Sequence, residues 1–361
     1  MDRFDIYQQI AQRTNGDIYI GVVGPVRTGK STFIKRFMDL LVIPNITDTF
    51  ERDRAIDELP QSASGKTIMT TEPKFIPNEA ANITIDGNIN LRVRLVDCVG
   101  YLVSGALGHL ENDVPRMVDT PWFEEKIPFG QAAEIGTKKV ITEHSTIGLV
   151  ITTDGSITDI SRDEYEEAEA RVISELKSTG KPFAILLNCI DTSSEDIIPL
   201  KEELSEKYGV PVLPVNCSTM TQEDINNIMQ TLLYEFPICE IGINIPSWMI
   251  SLDYNEELKA SLTDAIKDSF EEASKVRHIN DCVEALKGYS FVKNAVVSSI
   301  DAGSGCSLID IQLPDELFYN ILSERSGLDI TDDKALISMI RDLGRINREH
   351  ERLETALREV E

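Results

Sequence analysis

The chain has 361 residues, 42% of them hydrophobic, and carries 61 acidic against 35 basic side chains, a formal net charge of −26. That length allows a large core in two or three domains, and the charge argues against nucleic acid or direct adsorption to anionic lipid, since both would be repelled. No apolar run is long enough to cross a bilayer, and Met1 to Arg13, charged throughout, does not read as a signal peptide, so a cytoplasmic protein is expected.

In chain order, a β-branched run from Asp17 to Val23 feeds Gly24-Pro25-Val26-Arg27-Thr28-Gly29-Lys30-Ser31, a G-x-x-x-x-G-K-S loop. Phe33, Phe37, Leu40 and Leu41 then recur at helical spacing, so the loop joins a strand to a helix. Gly24 and Gly29 allow backbone N–H groups to converge on one concavity at the positive end of that helix. In such a loop Lys30 reaches the β- and γ-phosphates of a nucleotide and Ser31 holds Mg²⁺.

Ile43 to Pro73 is a long polar stretch with Thr67, Thr70 and Thr71 near its end. One of these threonines is placed to complete the Mg²⁺ shell and sense the γ-phosphate, although threonines beside a proline are also ordinary loop residues. Ile83 to Ile85 and Leu91 to Val96 flank Asp86-Gly87-Asn88 and predict a hairpin, which makes one strand antiparallel to its neighbour. A hairpin at this point is the GTPase-like arrangement, whereas a RecA-like ATPase would use a helical crossover. The second strand delivers Asp97-Cys98-Val99-Gly100: Asp97 for the Mg²⁺ water shell, the Gly100 N–H for the γ-phosphate. Tyr101 follows where Ras-like GTPases carry a water-orienting glutamine, so hydrolysis is expected to be slow or to need a group from another subunit.

Ser104 to Gly130 is an irregular insertion, a packed surface loop or else a mobile lid or assembly surface. Regular alternation then resumes: a helix from Gln131 to Glu143, a strand from Thr146 to Thr153, and a helix burying Tyr165, Ala168, Val172 and Leu176. A strand over Lys181 to Asn188, a helix over Ile197 to Tyr208, a strand over Val210 to Val215 and a helix ending near Phe236 complete the pattern. The expected fold is α/β, a doubly wound P-loop GTPase-like sheet with one antiparallel edge strand, and all nucleotide loops on one edge. Asn188-Cys189-Ile190-Asp191 sits where GTPases have N-K-x-D, with the base-stacking lysine replaced by Cys189. Asn188 and Asp191 either contact the base or cap the next turn, and the residues alone leave ATP and GTP both open.

Beyond residue 237 a smaller α+β domain is expected over 238–361. Ile245 to Trp248 reads as an extended link, and Leu258, Leu262, Ile266, Phe270, Ala273, Val276, Val283 and Leu286 as the stripe of one long amphipathic helix. A hairpin over Phe291 to Ile300 and Cys306 to Leu313 turns at Gly303-Ser304-Gly305, a helix starts at Asp315, and Ile346, His350, Leu353, Leu357 and Val360 space a final helix like a coiled-coil seam. The six cysteines, Cys98, Cys189, Cys217, Cys239, Cys282 and Cys306, form no metal-spaced cluster and are expected to be reduced and mostly buried.

Taken together, Gly24 to Thr32, the block Pro60 to Ala63 with Gly65 to Phe75, Leu95 to Tyr101, and Ala133 to Gly155 resemble the stage IV sporulation protein A family, the coat-morphogenesis ATPases of endospore-forming bacteria. The resemblance covers the whole chain. It implies ATP and Mg²⁺ as ligands, with ATP rather than GTP hydrolysed. Carried over by motif, Lys30 is the P-loop lysine, Asp97 the Walker B aspartate, and Thr70 and Thr71 the sensor threonines. The nucleotide-binding set is then Gly24, Pro25, Val26, Arg27, Thr28, Gly29, Lys30, Ser31, Thr32, Gly100, Asn188 and Asp191, and the metal set is Ser31, Asp97 and Thr71. The resemblance also implies self-association into static polymers around the forespore in the mother-cell cytoplasm, together with other spore coat proteins. Membrane attachment would run only indirectly, through a small amphipathic peptide and a C-terminal domain that this chain is expected to lack. A GTP-dependent switch with a regulatory partner is the competing reading, and a scaffold with a vestigial nucleotide site a third.

Overall fold

The computed structural model describes residues 3–60, 73–103, 110–111, 114–120, 123–253 and 256–360. Helix α1 (Arg3–Thr14) buries Ile6, Tyr7 and Ile10 and stops at the left-handed pair Asn15-Gly16, and strand β1 (Asp17–Val23) follows at once. After the glycine loop, α2 (Lys30–Phe37) runs on into a π-helical turn, Met38–Val42. Helix α3 (Thr49–Asp57) lies inside the long polar stretch after α2, begun by Asp48, whose carboxylate accepts from the Glu51 N–H at 2.8 Å. Strands β2 (Lys74–Ile85) and β3 (Ile89–Asp97) form the expected hairpin, with Asp86 and Gly87 both at positive φ, the backbone that a tight turn matching strand twist requires.

Among its described residues the insertion holds two short antiparallel pairs, β4 (Leu110–Glu111) with β5 (Val114–Pro115) and β6 (Met117–Thr120) with β7 (Phe123–Pro128). Segments this short hold no readable period. Next come α4 (Phe129–Lys139), a π-helical turn at Val140–His144, β8 (Ile147–Thr153), α5 (Glu166–Thr179), β9 (Phe183–Asn188), α6 (Ile197–Tyr208), β10 (Val212–Val215) and α7 (Gln222–Tyr234). Lys181 holds the end of the π-helical turn by donating to the carbonyls of Ile141, Thr142 and Ser145 at 2.9, 2.8 and 2.7 Å.

These strands make one six-stranded sheet in the order β10-β9-β8-β1-β3-β2, parallel throughout except at edge strand β2. The twofold period of a strand sorts its residues between two cores. Val23, Val96, Val150, Ile185 and Leu187 join one cluster with Phe129, Ala132, Val172, Leu176 and Leu204 of α4, α5 and α6. The alternate residues Val22, Leu95, Leu149, Ile151 and Leu186 are as deeply buried; α1 packs on α7, and both α1 and α2 pack on β1 and β3.

The chain divides into two compact units, the first Met1–Cys239 with Lys275–Arg277 and Asp301–Cys306, the second the remainder. The second holds β11 (Glu240–Asn244), α8 (Glu257–Phe270), α9 (Ile279–Leu286), β12 (Asn294–Asp301), β13 (Cys306–Gln312), α10 (Asp315–Ser326) and α11 (Asp333–Val360), with a sheet ordered β11-β13-β12. Strand β11, five residues with a central glycine, was not anticipated. The single long helix expected from Leu258 to Leu286 is instead broken between α8 and α9. Lys275 and Arg277 leave the helix to pair with Glu235, a side chain with no solvent exposure, at 2.5 and 2.6 Å. Compensating a buried carboxylate outweighs the few tenths of a kcal/mol per residue that helix propensity contributes. Of the expected seam on α11, Ile346 and His350 are exposed, and the side chains beyond Arg352 lie outside the described ones. Cys98, Cys189, Cys217 and Cys282 are buried, Cys306 half-buried and Cys239 exposed, all as free thiols.

Candidate functional site

The carboxyl ends of β1 and β3 bring the first two motifs together. Gly24 leaves β1 at φ 140°, and a Cβ there would stand 2.2 Å from the Ile151 carbonyl oxygen, so only glycine lets the loop cross β8 this closely. Gly29 is left-handed at φ 93° and hands the chain to α2, whose first residue is Lys30. Pro25 and Val26 are buried, and the Val26 N–H donates to the Tyr101 carbonyl at 2.9 Å, which zips the loop to the segment after Asp97. Thr28 closes the loop internally, its hydroxyl donating to the Pro25 carbonyl at 3.0 Å.

Lys30 is buried beneath this loop and donates to the carbonyls of Pro25 and Gly24 at 2.5 and 3.3 Å. Burial holds its ammonium below the ordinary lysine value, and the neighbouring Cys98 and Asp97 pull it back up. Asp97 is buried too; desolvation raises its carboxyl above the usual range, opposed by the hydrogen bond from Ser31 and by the charges of Lys30 and Lys74. Ser31, on the first turn of α2, donates from Oγ to Asp97 Oδ2 at 2.7 Å. Thr32 beside it is half-buried. Gly100, at φ 90°, passes so near that a Cβ would meet Lys30 Nζ at 2.6 Å and the Gly24 carbonyl oxygen at 2.3 Å.

This donor set fits a magnesium-bound polyphosphate. An ammonium, a hydroxyl and a carboxylate converge where the loop leads into a helix N-terminus, and glycines let the loop, Asn188 and the segment after Asp97 approach one another this closely. Ser31 and Asp97 are the residues that could hold such an ion, and Lys30, now on the Pro25 and Gly24 carbonyls, the one that could turn to phosphate oxygens.

The third motif is joined to the first by Asn188. Its Nδ2 donates to the Thr28 carbonyl at 2.9 Å and its Oδ1 accepts from the Cys217 N–H at 3.1 Å, so its amide ties two loops together. Asp191 stands exposed, with Oδ1 accepting from the Ser193 N–H at 2.9 Å. Cys189 is fully buried and its thiol pushed up to about 11 by desolvation, so it offers no surface to a base. Tyr101 is buried as well, its hydroxyl donating to Glu175 Oε2 at 2.5 Å, away from the role of a water-orienting side chain. Thr67, Thr70 and Thr71 lie outside the described residues. Sequence reasoning missed the contributions of Cys217 and of Ser156, whose hydroxyl accepts from the Ile190 N–H at 3.1 Å. Neither carries a motif; the only signal was a polar loop following each of β8 and β10.

Residues 1–237 match the family model for the stage IV sporulation protein A ATPase domain, and residues 238–361 that for its middle domain. The chain is 50% identical over 353 residues to Stage IV sporulation protein A of Clostridioides difficile (strain 630), covering 98% of this chain and 72% of that one. It is 47% identical over 360 residues to the protein of that name from Bacillus anthracis and 46% identical to that from Bacillus subtilis (strain 168), in each case over 100% of this chain and 73% of the relative. A solved structure of a glycine-to-serine variant of SsGBP aligns with a TM-score of 0.35 and 16% identity, over 64% of this chain and 61% of that one, too loose a likeness to bear on the fold. Among the described residues no helix is long and apolar enough to cross a membrane.

Proposed function

The chain belongs to the stage IV sporulation protein A family, and from that premise we propose that it hydrolyses ATP to ADP and phosphate with Mg²⁺, and that hydrolysis licenses its assembly into polymers at the outer forespore surface as the basement layer of the spore coat. The observation that carries the ATPase reading is the 2.7 Å bond from Ser31 to Asp97, which joins the loop lysine's neighbour to the carboxylate at the end of β3. In this reading a bound Mg²⁺ would supply charge neutralisation to the phosphates. Ser31 and Asp97 would hold it, with Thr71 as the third member, Lys30 would bind the phosphates, and the Gly100 N–H would serve the γ-phosphate. Thr70 and Thr71 sense that group. The nucleotide base rests near Asn188 and Asp191. The partners in this reading are further copies of the chain and other coat proteins, with the forespore membrane engaged only through a small amphipathic peptide and a C-terminal domain.

Pelleting tests the assembly half. Wild-type protein with Mg-ATP is expected to sediment as polymer, whereas Lys30→Ala, or wild type with a non-hydrolysable analogue, stays in the supernatant. Equal sedimentation of all three would remove hydrolysis as the trigger. One observation favours the rival GTP-dependent switch: Asp191 is exposed and has an oxygen to spare for a guanine. A guanine preference that disappears in Asp191→Ala would put that reading first.

A further inference from the structure

Arg27 occupies the middle of the loop in a left-handed conformation, φ 63°, that side chains other than glycine's seldom adopt. Among the described residues its guanidinium has no hydrogen-bond or ion-pair partner. Three other arginines of the same unit are each gripped by a carboxylate: Arg92 by Asp17, Arg162 by Glu169 and Arg171 by Glu134. Arg13, Arg36 and Arg52 donate instead to backbone carbonyls, and Arg3, Arg94 and Arg116 lie over aromatic rings, whereas Arg27, beside the phosphate loop, has none of these partners among the described residues. It is half-buried, and its charge is felt at the Tyr165 hydroxyl, which burial raises while the Thr158 hydrogen bond and Arg27 lower it. Tyr101 meanwhile is committed to Glu175, so the side chain after the D-x-x-G segment provides nothing for the reaction.

We propose that Arg27 is a catalytic residue acting in cis: its guanidinium contacts the triphosphate of the nucleotide bound by its own loop and stabilises the charge that grows on the β–γ bridging oxygen during hydrolysis. This rests on the ATPase reading above. A water oxygen forms the new bond to the γ-phosphorus as the bond from that phosphorus to the bridging oxygen breaks. The bonding pair stays on the terminal β-phosphate oxygen of ADP; one water proton remains on the released phosphate and the other passes to solvent. A planar cation with several donors suits the leaving oxygen better than a point charge, because it spans two phosphate oxygens at once.

The test compares Arg27→Gly, Arg27→Lys and wild type. Glycine adopts φ 63° without strain, so Arg27→Gly removes the cation while keeping the loop, and an unlowered melting temperature checks this. Calorimetric binding of a non-hydrolysable Mg-ATP analogue is expected to change by no more than about threefold while kcat falls about 100-fold or more, with Arg27→Lys in between. Mixing Arg27→Gly with Lys30→Ala protein is expected to restore no turnover. Wild-type kcat in Arg27→Gly with binding intact, or a change confined to KM, would overturn the role of Arg27 alone. Restored turnover in the mixture would overturn action in cis, and failure of wild type to bind the analogue would overturn the ATPase reading and this inference with it.

Discussion

Single side chains at the site divide into those that contact the reaction and those that hold the fold, and positions 100 and 101 illustrate both. Tyr101 buries its ring beneath Arg171, 5.0 Å from guanidinium to centroid, and is bonded to Glu175. Burial and that carboxylate raise the hydroxyl far above its ordinary range, so it stays protonated at any working pH. Tyr101→Phe is expected to lower stability by about 1 kcal/mol in urea melts and leave kcat unchanged. Gly100→Ala should damage both stability and activity, since its Cβ would sit 2.3 Å from the Gly24 carbonyl oxygen and 2.6 Å from Lys30 Nζ. Phosphate release is expected to vanish there, at a stability cost of about 1–3 kcal/mol for the strained backbone. The loop was legible in the sequence because its chemistry is packed into eight consecutive residues, Gly24 to Ser31. The direction of Tyr101 was not, because its partner lies 74 positions away on α5.

At the scale of elements, α5 is anchored by a buried carboxylate. Glu169, with no exposure, accepts from Arg162 through both oxygens at 2.7 and 2.8 Å, from Tyr208 at 2.9 Å, and from the Thr152 hydroxyl. This network ties the end of β8 to α5 and α6. Arg162→Leu would leave the charge uncompensated in the core, and a loss of about 3–5 kcal/mol is expected by chemical denaturation. Adding Glu169→Gln should recover part of it, because the second change removes the stranded charge. Elements with strong local signals were readable: α6 spans Ile197–Tyr208 and α10 begins at Asp315, as the apolar spacing predicts. The break between α8 and α9 was not readable, since its cause is the distant carboxylate of Glu235, and the strand pairs at 110–128 are too short to show a period.

For the whole molecule, the antiparallel edge strand was legible from the Asp86-Gly87 hairpin, whereas the order of the six strands rests on pairings between distant segments that no local signal names. What the sequence could not convey is which loops share hydrogen bonds, such as the bridge that Asn188 makes between Thr28 and Cys217. If the first unit binds nucleotide as a folded body, Mg-ATP at 100 times its Kd should stabilise it by about 2.7 kcal/mol. The same addition to Lys30→Ala should shift the melting temperature little. The most direct measurement is phosphate release by the purified chain with Mg-ATP and separately with Mg-GTP, using Lys30→Ala as the blank. Turnover of ATP above that blank with little GTP turnover is the result expected of an ATPase of this family; turnover of GTP alone, or none above the blank, would contradict it.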